Sequence, residues 1–149
     1  MFKLHSGRTK SMYFGSTASQ AISKGALVAL SSGRLIPAAN DTDPSVIVGV
    51  IDEAIASTDT AYATAGTPVK VIVPLDMWTT WEVDLNATGG ASYPLTATDQ
   101  GEYMDLYTDD TGLYVDTNVS TLDTLFCVGY TNTLKGLFVL NIGPYYMNP

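Results

Sequence analysis

Side chains able to do chemistry are few in this sequence, and they are scattered. Its 149 residues hold one histidine, His5, and one cysteine, Cys127. A nucleophile activated by imidazole needs both groups within hydrogen-bond reach. Any Ser-His-Asp or Cys-His arrangement must therefore recruit His5, at the chain start, where order is hardest to maintain. A four-ligand zinc site draws on several Cys and His side chains, and one of each does not close it. Asp105-Leu-Tyr-Thr-Asp-Asp-Thr-Gly112 brings carboxylates close together, but it lacks the alternating Asp/Asn ligands and terminal Glu of an EF-hand. It reads as a hairpin turn in which Asp109 and Asp110 cap backbone amides ahead of Gly112. Glu82 and Asp84 share one face of a strand. The opposite face of Trp81-Glu-Val-Asp-Leu85 is Trp81, Val83 and Leu85, so the two acids form the solvated side. No Gly-x-x-x-x-Gly-Lys-Ser/Thr occurs to cradle a phosphate. The expectation is a protein that is not an enzyme and takes no metal and no cofactor.

The elements that would position these residues are short strands. From Gln20 to Ile51 the chain runs through brief apolar stretches, each closed by a glycine or a Ser/Pro/Asp cluster, the pattern of strands that turn back every few residues. Val69, Val71 and Val73 alternate with Lys70 and Ile72, and Trp81, Val83 and Leu85 with Glu82 and Asp84; both have the two-residue period of a half-buried strand. Later runs, Tyr103 to Tyr107, Leu113 to Asp116, Leu125 to Tyr130 and Gly136 to Ile142, are rich in aromatic and β-branched residues. Helical signal is confined to a turn around Leu122 to Leu125, after Asn118 and Ser120 as caps, and a short piece near Asp52 to Ala56. Loops are expected over Ala39 to Ser45, Ser57 to Pro68 and Asn86 to Asp99. The fold class is all-β: a small β-barrel or tulip-like sandwich of short antiparallel strands with at most one or two short helices.

At this length the chain makes one domain that buries about two-thirds of its unfolded surface without staples. Cys127, within Leu-Phe-Cys-Val-Gly, is expected as a small buried hydrophobe. The N-terminus carries no apolar signal segment and no apolar run is long enough to span a bilayer. A soluble protein assembled in the cytoplasm, with no membrane partner, is expected.

Charge divides the chain. Residues 1–40 carry five bases (Lys3, Arg8, Lys10, Lys24, Arg34) and no acid, whereas the rest carries fifteen acids and two bases, Lys70 and Lys135. A basic segment ahead of an acidic body suggests an arm that docks on something else. We therefore divide the chain into an N-terminal arm, 1–19, and a β-domain, 20–149. Three bases in the first ten residues make a thin phosphate footprint, and the acidic body would repel a duplex; no nucleic-acid partner is expected. Phe2, Leu4, Met12, Tyr13 and Phe14 give the arm apolar anchors, with Lys3, Arg8 and Lys10 between them, a set suited to a protein surface. The competing possibility is that the segment is an edge strand of its own domain. Trp78 and Trp81 are three apart and face opposite sides if both lie in one strand, so one is assigned to the core and the other, Trp78, to an intersubunit contact. The tail Gly143-Pro-Tyr-Tyr-Met-Asn-Pro149 cannot continue a strand through its prolines, and its Tyr145 and Tyr146 suit a neighbouring surface.

Ile22-x-Lys-Gly-x-Leu-Val-x-Leu30, the Ser32-Gly33 turn, a strand from Arg34 to Ala38, a polar loop and Ile47-Val-Gly-Val50 resemble the opening of the head decoration, or capsid cement, proteins of tailed bacteriophages. Gly66-Thr-Pro-Val-Lys-Val-Ile-Val73 is similar to the next strand of that pattern, and Gly101 to Asp116 to the strand pair that follows. The likeness covers about Ala21 to Ile142. It implies a structural virion protein on the outer surface of an icosahedral head, assembled in the host cytoplasm. Its partner would be the major capsid protein, and the arrangement a homo-oligomer, commonly a trimer at threefold positions, with N-terminal arms lying along the capsid. The long Ser57 to Pro68 loop and the aromatic tail depart from the compact family pattern. Two other classes remain open: a carbohydrate- or receptor-binding β-module that uses its nine tyrosines and two tryptophans as stacking platforms, and a trimeric β-barrel hydrolase, for which no catalytic carboxylate motif is found.

Overall fold

The structure is a computed structural model that describes all residues except 40–41, 85–94, 110–111, 117–121, 133–134 and 143–149. Eleven strands among the described residues form two antiparallel sheets. They are β1 (Phe2–Ser6), β2 (Thr9–Gly15), β3 (Leu27–Ser31), β4 (Arg34–Pro37), β5 (Ile47–Ile51), β6 (Pro68–Pro74), β7 (Thr80–Asp84), β8 (Tyr103–Asp109), β9 (Gly112–Asp116), β10 (Leu125–Asn132) and β11 (Lys135–Leu140). One sheet runs β1-β7-β11-β10-β8-β9 and the other β2-β6-β5-β3-β4. The all-β sandwich expected from the two-residue periodicity is present. The sheets do not close into a barrel. A parallel bridge between Ser16 and Leu35 brings the two edges of the five-stranded sheet together at one end only.

Two hydrophobic cores hold the layers. The first lies between the sheets and includes Phe2, Leu27, Ile47, Val50, Trp81, Met104, Leu125, Cys127 and Phe138. The second covers the other face of the five-stranded sheet, where Val28, Leu35, Ile51, Val69 and Val71 are capped by Ile22, Ile55 and Tyr62. Alternation on β6 sorts its residues between them: Val69, Val71 and Val73 join the second core, while Ile72 packs on the first. β5 and β6 approach so closely that a Cβ at Gly49 would collide with the carbonyl oxygen of Ile72, which is why Ile-Val-Gly-Val carries glycine there.

Helix is scarce, but not where the sequence signals put it. The stretches from Asp52 to Ala56 and from Leu122 to Leu125 are not helical. Helical turns occur instead at Pro44–Val46, at α1 (Thr60–Ala63) inside the expected Ser57 to Pro68 loop, and at Ala97–Asp99. Ile55 bridges Ile22, which draws the first of those stretches into an extended path. The second is pulled straight by Asp105, whose carboxylate accepts the backbone N–H groups of Leu122 (2.9 Å) and Asp123 (2.7 Å).

The first nineteen residues depart most from expectation. β1 is an edge strand of the six-stranded sheet, paired with β7, and β2 an edge strand of the five-stranded sheet, paired with β6. The segment read as an extended arm is thus part of the body. Together β1–β2 and β6–β7 form one bent ribbon that crosses from sheet to sheet, turning at Gly7 and Arg8 on one side and at Leu75 to Thr79 on the other.

Candidate functional site

The residues assigned to partner binding separate into two groups. Phe2 is only 4% exposed, lies in the main core opposite Val83, and donates its N–H to the Gly25 carbonyl at 2.8 Å. Phe14 is half-buried against the second core. Neither is available as a surface anchor, which corrects the expectation for both: each is the apolar contribution by which its edge strand is held to the body. Lys3, Leu4, Arg8, Lys10, Met12 and Tyr13 are exposed. Leu4, Met12 and Tyr13, at 38%, 39% and 66%, are large apolar side chains left in water. Lys3 and Lys10 enter no ion pair among the described residues, whereas Arg8 meets Asp76 at 3.3 Å.

Local backbone chemistry fixes the corner beside them. Arg8 offers its carbonyl to the Leu75 N–H (2.9 Å) and the Thr79 hydroxyl (3.0 Å). Asp76 accepts from the Thr79 hydroxyl, the Trp78 N–H and the Arg8 guanidinium. Partial burial opposes the charged form of Asp76, but the hydrogen bonds from Thr79, Arg8 and Trp78 outweigh it and hold the carboxyl below its ordinary range. Just past the end of β5, Asp52 meets Lys70 of β6 at 2.7 Å and Lys24, in the turn before β3, at 3.7 Å. The Lys70 hydrogen bond lowers the Asp52 pKa against the effect of burial, and the same contact raises that of Lys70.

Trp78 and Trp81 do not share a strand, so their spacing does not sort them: Trp81 is fully buried on β7, and Trp78 is 66% exposed in the turn before it. Trp78 stands beside a recess of about 130 Å³ on the outer face of the six-stranded sheet, walled by Met77, Tyr103, Phe126, Val139 and Asn141. The register explains the wall, since Phe126 sits opposite both Val139 and Tyr103, and the rings of Tyr103 and Phe126 lie 5.0 Å apart at 56°. Sequence reasoning missed this grouping. Its signal was present in the outward phase of Phe126 and Val139, whose strand neighbours Leu125, Cys127, Phe138 and Leu140 are core residues. Tyr145 and Tyr146, the other proposed intersubunit residues, lie outside the described residues.

Other chemically capable groups stay apart. His5 is exposed on β1, and Cys127 is fully buried on β10, where burial pushes its thiol pKa up. Glu82 is half-buried and pairs with Lys135 at 3.2 Å. Asp105, from the stretch resembling a calcium loop, is 4% exposed and engaged with Leu122 and Asp123. Asp109 and Gly112 close the β8–β9 hairpin as that stretch predicts. Among the described residues no group of three or more His, Cys, Asp or Glu is placed to hold a metal ion, and no helix is long and apolar enough to cross a membrane. The chain matches no protein-family model and no curated protein sequence.

Proposed function

We propose that the protein is a structural module that decorates the outer surface of a phage head and clamps neighbouring subunits of its major capsid protein. The observation that carries this reading is the set of large apolar side chains, Leu4, Met12 and Tyr13, left exposed beside the exposed Lys3 and Lys10 on two edge strands. Both cores are completed without them. A domain does not need these side chains in water for its own stability, and an exposed edge offers main-chain hydrogen bonds to a partner strand. The ordered likeness of strands and turns to head decoration proteins supplies the partner, and adds a trimer at threefold positions as the arrangement to look for.

Negative-stain imaging of the protein mixed with expanded, undecorated heads tests the proposal, with a binding titration of the variants Tyr13→Ala, Met12→Ala, Lys3→Ala and Lys10→Ala at low and raised salt. Decoration is expected, weakened more by the apolar truncations than by the lysine ones, because partly solvated charges contribute only about 0–1 kcal/mol. Heads that stay bare, or a lysine-dominated interaction that salt abolishes, would overturn it.

A further inference from the structure

The recess beside Trp78 gathers aromatic side chains from the turn before β7, from β8 and from β10. Trp78, Tyr103 and Phe126 bring three aromatic side chains to one opening of about 130 Å³, with Met77, Val139 and Leu140 filling the wall and no Lys, Arg or His in the lining among the described residues. Asn141 is already engaged, donating its side-chain amide to the Asp123 carbonyl at 2.9 Å. We propose that this recess is a binding site for a small organic cation of the quaternary ammonium class.

Aromatic faces carry the negative lobe of the ring quadrupole and attract a cation within about 6 Å, and methylated ammonium groups are the cations such cages recognise. An ordinary ammonium must shed tightly held water to enter an apolar recess, whereas a trimethylammonium group presents methyl carbons and keeps its charge. The volume suits a compact head group, being close to the about 150 Å³ of an apolar cavity that takes up benzene. The Trp78 backbone is held at both ends: its main-chain N–H donates to Asp76 at 3.1 Å, and its carbonyl accepts the Thr80 hydroxyl at 3.1 Å.

Choline and its uncharged isostere 3,3-dimethyl-1-butanol separate charge recognition from simple apolar filling. The full chain would be titrated with each at matched ionic strength while following the two indole N–H resonances, those of Trp78 and Trp81, by nuclear magnetic resonance. Choline should shift the Trp78 resonance and leave the fully buried Trp81 in place, and should bind about threefold to thirtyfold tighter than the alcohol. Trp78→Ala, a change at an exposed position, should abolish choline binding with the circular dichroism spectrum unchanged, and Trp78→Phe should retain part of it. Equal affinity for the two compounds, no shift at Trp78 with choline, or undiminished binding by Trp78→Ala would each overturn the proposal.

Discussion

Gly7 and Thr79 meet backbone to backbone at the corner where the bent ribbon crosses between the sheets: a Cβ at Gly7 would stand 2.6 Å from the Thr79 Cα. Gly7 also has φ +106, a conformation that L side chains resist. The contact leaves no flexible group to move aside, and the Thr79 hydroxyl is already bonded to the Arg8 carbonyl. Gly7→Ala is therefore expected to lose about 1–3 kcal/mol, read as a lower urea midpoint with an unchanged slope. A variant as stable as the parent would mean that the two corners separate easily.

Phe2 and Tyr13 sit on consecutive edge strands of different sheets and on opposite sides of the solvent boundary, at 4% and 66% exposure. Phe2→Ala should cost about 3–5 kcal/mol of stability, and Tyr13→Ala should fall within about 0.5 kcal/mol of the parent. Removing residues 1–19 deletes β1, β2 and Phe2 together, and the truncated chain should unfold at markedly lower urea or fail to fold. A truncated chain with an unshifted thermal transition would restore a dispensable arm.

The Asp52–Lys70 contact sets a pH window. Folding lowers the Asp52 pKa from its ordinary 3.8, so the carboxylate stabilises the fold above that value, and the gain disappears as pH falls through the lower folded value. Folding raises the Lys70 pKa from 10.5, so its gain is complete below 10.5 and lost as pH rises beyond. The stability difference between the parent and Asp52→Asn should be level near neutrality, close in acid below 3.8, and shrink again in strong alkali. Urea midpoints measured from pH 2 to 11 check this. A difference that persists unchanged at pH 2 would assign the effect to shape and not to charge.

Cys127 is fully buried, with a thiol whose pKa burial has raised, so its reactive thiolate is scarce as well as covered. A disulfide reagent at pH 8 should leave the native protein unlabelled and react fully once urea unfolds it. Rapid labelling of the native state would show that β10 and β11 open locally.

Much of the sandwich was legible because its strands obey simple periodicities. Trp81, Val83 and Glu82 sort as alternation predicts, and the runs from Tyr103, Leu113, Leu125 and Gly136 each become strands. β1 and β2 escaped because nearly all their side chains face water. An edge strand buried only through Phe2, or through Phe14, shows no alternating stripe, and its identity resides in backbone pairing with a distant partner. The helix expectations failed for a similar reason, since Asp105 and the Ile22–Ile55 bridge impose extended paths from far along the chain. At the surface, Leu4, Met12 and Tyr13 were identifiable by type, but the recess around Trp78 depends on a register that places Tyr103, Phe126 and Val139 in one row.

The bent ribbon also dictates a timetable. Its pairs join residues from 53 positions apart, Gly15 with Pro68, to 81 positions apart, Phe2 with Val83. Chain closure over such separations must precede any reward from the contacts, which slows folding. During synthesis β2 therefore waits for Pro74 to complete β6, and β1 for Asp84 to complete β7. The oldest part of the polypeptide has no partner strand until then, and β7, once made, keeps its other edge open to nearby nascent chains until β11 (Lys135–Leu140) is synthesised.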